Sequence, residues 1–207
     1  MSRIGVKSGA QRLGWFSSII HRVESITTQN ALLWGLAWLI ISTIAGWYLC
    51  LMPSGVVGYQ VVGLSPLVWY LMQNVVVWII SASVLYAVVL LHNRRAQVVD
   101  TYGRLLFAHW PATLLLLPVV VVGKVEYCLL CSDLAAAFAA NAITTVLYML
   151  FVIVVVLWVA WWSYLAFRRG AGRGGWATVV SYVVGCVVAT LLSSWVLDVI
   201  WQGAQIG

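Results

Sequence analysis

The chain has 207 residues, of which 64% are hydrophobic and only 8% charged, with a formal net charge of +6. A soluble domain carries about 25% charged residues, so this composition excludes an ordinary soluble enzyme and predicts one integral membrane bundle. The basic excess does not indicate a nucleic-acid partner, because the charges sit in short loops between apolar runs, where they set orientation.

Residues 1–30 read as a cytoplasmic segment. The opening "MSRIGVKSGAQRLGWFSS" has no apolar core followed by a small-residue cleavage site, so no signal peptide is expected. Within Gln11–Thr27, Trp15, Phe16, Ile19, Ile20, Val23 and Ile26 share one helical face. That pattern predicts an amphipathic helix, lying in the cytoplasmic interface or packed on the bundle.

Residues 31–201 predict an all-α polytopic bundle of five transmembrane helices, Ala31–Met52, Pro66–Leu91, Leu105–Gly123, Leu134–Phe167 and Trp176–Trp201. Each covers the roughly 20 residues that a bilayer requires. Residues 202–207 form a short outer tail. The fourth segment holds 34 residues, a length of about 50 Å at 1.5 Å per residue, so it must tilt or project. Trp158, Trp161, Trp162 and Tyr164 before Arg168 and Arg169 read as an aromatic belt and a basic anchor. The uncharged loop Pro53–Ser65 is expected to dip into the outer interface as a re-entrant segment or to pack on the bundle.

Orientation follows from the arginines and lysines. Arg3, Lys7, Arg12 and Arg22, the loop residues Arg94, Arg95 and Arg104, and the anchors Arg168, Arg169 and Arg173 fall on one side, with Lys124 alone on the other. The positive-inside rule then places the N-terminus in the cytoplasm and the C-terminus outside, in the cell (inner) membrane.

Polar residues inside spans are the usual place to seek function. Here they are Gln73, Asn74, His109 and Asn141, and no ionised residue falls near the middle of a span, which argues against an ion-driven pump. His109 precedes Trp110–Pro111. It is expected to donate to a neighbouring carbonyl, with ligand contact and proton handling as alternatives. Pro111 and Pro118 are expected to bend the third span. No Ser/His/Asp set, paired carboxylates or Cys/His cluster stands out, so neither metal nor cofactor is expected.

The stretch "VEYCLLCSD" sets Cys128 and Cys131 three residues apart on the outer side, a candidate disulfide or redox pair. The run "EYCLLCSDLAAAFAAN" resembles the active-site segment of the vitamin K epoxide reductase family. That resemblance implies a quinone-linked thiol–disulfide oxidoreductase using Cys128 and Cys131. The family also carries a second cysteine pair after its first span, where this chain has only Cys50. A broader likeness lies in "RRAQVVDTYGRLLFAHWPATLLLLPVVVVG", which, with the span count, resembles the bacterial branch of the Yip (Ypt-interacting protein) family. It implies a non-enzymatic membrane protein, accessory to an ABC-type exporter or a membrane-trafficking assembly. The expected partners are the bilayer and another membrane protein or a second copy. Lateral contact is expected through small residues of the fourth or fifth span, Ala135, Ala136, Ala137, Ala139 and Ala140 or Gly185 and Ala189. A small-molecule or lipid transporter is the remaining alternative.

Overall fold

The computed structural model describes residues 26–49, 51–53, 59–61, 66–117, 134–172 and 174–206. The amphipathic segment before Ile26, Cys50, Pro118, Lys124, the Cys128/Cys131 pair and Arg173 lie outside the described residues.

Four helices are long and apolar enough to cross a membrane: α1 (Thr28–Leu49), α2 (Leu67–His92), α5 (Ala142–Ala171) and α6 (Trp176–Ile206). In hydrocarbon every backbone polar group must be satisfied within the segment, and a long helix does this. Their outward faces are unshielded: Leu33, Leu157 and Leu191 are 66%, 64% and 67% exposed. This distribution marks the chain as a multi-pass membrane protein.

The expected third helix, Leu105–Gly123, is not a long helix. Its place is taken by the 11-residue α3 (Val98–Ala108) and a 3₁₀ segment, Trp110–Leu116. Four long helices, not five, are therefore found among the described residues. Pro111 is the cause: it has no N–H to donate, its ring meets the carbonyl four residues back, and it disfavours α geometry at Trp110. The bend expected from Pro111 is thus a change of helix type.

The expected fourth helix is also divided. Helix α4 (Leu134–Ala140) ends at Asn141, which is extended at φ −156° and accepts from Thr144 N through its side chain to start α5. Gly172, left-handed at φ 66°, stops α5, with its N–H on Arg168 O at 3.1 Å. Between α1 and α2 two short strands pair antiparallel, β1 (Leu51–Pro53) on β2 (Tyr59–Val61), with Leu51 opposite Val61.

The α3–3₁₀ segment lies against α1, α2 and α5. It runs parallel to α1, since Gly103 faces Leu32, Leu106 faces Gly35 and Trp110 stacks on Trp38. It runs antiparallel to α5, since Phe107 stacks on Trp162 while Leu115 packs with Val155 and Val159. Close approach depends on glycine. A Cβ on Gly35 would lie 2.6 Å from Leu106 Cγ. Gly185 and Ala189 likewise turn inward: Ala189 is fully buried, and a Cβ on Gly185 would lie 3.0 Å from Leu85 of α2. The expectation that these two small residues form an outer contact surface is therefore corrected; they serve the α2–α6 packing.

Candidate functional site

The candidate site is the junction between α3 and the 3₁₀ segment, packed against α1 and α5. At His109 the backbone ratchet slips from four residues to three: His109 N donates to Leu106 O at 3.2 Å, and Ala112 N to His109 O at 2.9 Å. Leu105 O thereby loses its usual partner, the N–H of His109. The His109 ring replaces it, with Nδ1 at 2.7 Å from Leu105 O. A carbonyl cannot donate, so Nδ1 carries the proton. One turn on, Thr113 Oγ1 donates to Trp110 O at 2.6 Å.

Aromatic rings surround this break. Trp110 stacks on Trp38 at 5.1 Å and meets Trp158 and Trp162 edge-on at 5.7 and 5.9 Å, while Phe107 stacks on Trp162 at 5.7 Å. Such pairs add about 0.5–1.5 kcal/mol each beyond the apolar area they bury. The belt expected at Trp158–Tyr164 is thus divided. Trp158 and Trp162 join this cluster, Tyr164 packs on Tyr182 at 5.5 Å, and Trp161 stays half exposed.

The candidate polar residues do not converge. Asn74 Nδ2 donates to Tyr70 O at 3.1 Å, His109 is engaged with Leu105, and Asn141 caps α5. Gln73 is buried and lines a shallow crevice with Trp69, Met72, Leu197 and Ile200. Three of the four are thus engaged within four residues of their own position.

The arginines behave in two ways. Arg94, Arg95 and Arg169 are exposed and Arg168 is half-buried, at the end of the bundle where α1, α3 and α6 begin. Arg104, expected with them as a basic anchor, is only 5% exposed. Its Nε donates to Asp100 Oδ1 at 2.8 Å, and the same oxygen accepts from Thr28 Oγ1 at 2.6 Å. This arrangement pins the start of α1 to the start of α3. The signal in the sequence is the acid-before-base spacing of four residues in "DTYGR"; nothing there points to Thr28.

Three further ties had no signal in the sequence: Asn93 Nδ2 to Gly170 O at 2.9 Å, Tyr102 OH with Ser83 Oγ at 2.7 Å, and Tyr182 OH to Ala160 O at 2.9 Å. Cys186 is a free, half-buried thiol. Among the described residues no group of three or more His, Cys, Asp or Glu could hold a metal ion. Compared with known proteins, the chain matches no family model, no curated protein and no solved structure.

Proposed function

We propose that the chain is a non-enzymatic protein of Yip-like type in the cell (inner) membrane, working by lateral contact with another membrane protein or a second copy. In the role that resemblance implies, it serves an exporter or a trafficking assembly. The proposal includes five crossings, with the N-terminus cytoplasmic and the C-terminus outside. The α3–3₁₀ segment supports the fifth crossing. Eleven α residues and seven 3₁₀ residues rise about 16 and 14 Å, together close to the 30 Å hydrocarbon core. Irregular backbone is tolerated at that depth only where protein surrounds it or water lines it. Here α1 and α5 pack against the 3₁₀ residues.

The observation that carries the lateral reading is the outer face of α5. Ile143, Leu147, Leu150, Val154, Leu157 and Trp161 follow one another at spacings of four and three, and each is at least 50% exposed. Lipid can cover any apolar face, but that spacing is the heptad seam by which two helices interlock. The test places single cysteines at Leu150 and Leu157 in a chain whose own cysteines are replaced by serine, and applies a short bifunctional crosslinker to native membranes. A defined adduct at both positions, and none at buried Val155, supports the reading. A chain that yields no adduct and runs as a monomer in several mild detergents contradicts it.

A further inference from the structure

The fold brings together two arginine pairs that the sequence keeps far apart. Asn93 opens a turn in which Ala96 N donates to Asn93 O and Arg95 N to Asn93 Oδ1, both at 3.1 Å. Arg94 and Arg95 therefore occupy its tip. Through Nδ2 the same Asn93 holds Gly170 O at 2.9 Å across 77 residues of sequence. Gly170 directly follows Arg168 and Arg169.

The charge at this end is strongly one-sided. Arg94, Arg95 and Arg169 are exposed at the C-terminal ends of α2 and α5, and their full charges outweigh the partial negative charge of those two helix ends. Asp100 is the carboxylate described at this end, and its Oδ1 is held by Arg104 and Thr28. Buried Arg104 adds its own charge, and one of its terminal nitrogens has no hydrogen-bond partner.

The neighbouring surface identifies the partner. Leu91 next to the turn is 82% exposed, Trp176 at the start of α6 is 80% exposed, and Val99 is 58% exposed. A free anion would leave these side chains in water. A phospholipid covers them with its chains while its phosphate meets the arginines. We propose that Arg94, Arg95 and Arg169, gathered by the Asn93–Gly170 tie, form a docking site for the phosphate of an anionic phospholipid.

The test titrates phosphatidylglycerol or phosphatidylcholine into the detergent-purified full chain and counts bound lipid by native mass spectrometry. No bilayer is needed, so the outcome does not depend on the number of crossings or on lateral association. Phosphatidylglycerol should bind more tightly. Each of Arg94→Gln, Arg95→Gln and Arg169→Gln should weaken it by roughly 5-fold, while the lysine variants retain most of the preference. These are exposed positions; should any variant misfold, a salt titration of the wild-type chain decides, because screening must erase the preference. Equal affinity for the two lipids overturns the proposal, as does indifference to the glutamine substitutions. Displacement of the lipid by millimolar inorganic phosphate would make this a free-anion site and also overturns it.

Discussion

Replacing His109 with leucine removes the hydrogen bond that closes the break in α3. The ring sits 2.7 Å from Leu105 O, and the His109 N–H is already committed to Leu106 O. Leucine fills similar space but leaves the Leu105 carbonyl without that donor, deep in the bundle. An unsatisfied buried acceptor costs about 1–3 kcal/mol, and little water is at hand to reduce it. His109→Asn is the informative control. In this same bundle Asn74 reaches the carbonyl four residues back, at 3.1 Å, so asparagine at position 109 should recover most of the loss. The assay is reversible unfolding in mixed micelles, or steric trapping in bicelles. A second arm uses Pro111→Ala, which removes the obstacle to a regular α-helix. In that background His109→Leu should cost less, because a regular helix gives Leu105 O a backbone partner; the coupling should reach about 1 kcal/mol. A leucine variant as stable as wild type, or an asparagine variant as damaging as leucine, would refute the reasoning.

Three other perturbations follow from the packing. Gly35→Leu should disrupt the α1–α3 contact, since even a Cβ there would meet Leu106 at 2.6 Å; overpacking costs about 1–3 kcal/mol, read as a lower melting temperature in detergent. Asp100→Ala should cost toward the lower end of about 3–5 kcal/mol, because Arg104 stays buried while the aspartate is 25% exposed; adding Arg104→Leu should restore part of the loss, and a simple sum of the two effects would count against the pairing. Replacing Cys128 and Cys131 together with serine should leave function intact and cost about 2 kcal/mol or less, the worth of so short a closed loop; thiol-dependent quinone reduction lost in Cys131→Ser would instead establish the oxidoreductase.

Apolar runs longer than a bilayer needs made α1, α2 and α6 legible to within a few residues. The third span was not, because average hydrophobicity cannot report a change of helix type; Pro111 was visible, but whether it bends a helix or converts it depends on how Trp38, Trp158 and Trp162 pack around the break. The split at Asn141 was hidden in the same way, since a cap and a buried polar residue look alike in a sequence. Lipid also removes the usual cue of amphipathicity. Gly185 and Ala189 could as well have faced outward, and their direction shows only in the approach of Gly185 to Leu85 and the burial of Ala189. The burial of Arg104 was not legible either: its partner Asp100 is also held by Thr28, 72 residues away, a contact created by tertiary structure alone.

The account turns on whether Val98–Leu116 carries the chain across the membrane, because four crossings return the C-terminus to the side of the N-terminus and five do not. A reporter active only in the cytoplasm, fused in turn before Met1 and after Gly207, measures this directly. Activity at the N-terminal fusion with silence at the C-terminal one is the predicted result. Activity at both ends would contradict the account and make the α3–3₁₀ segment a re-entrant element instead.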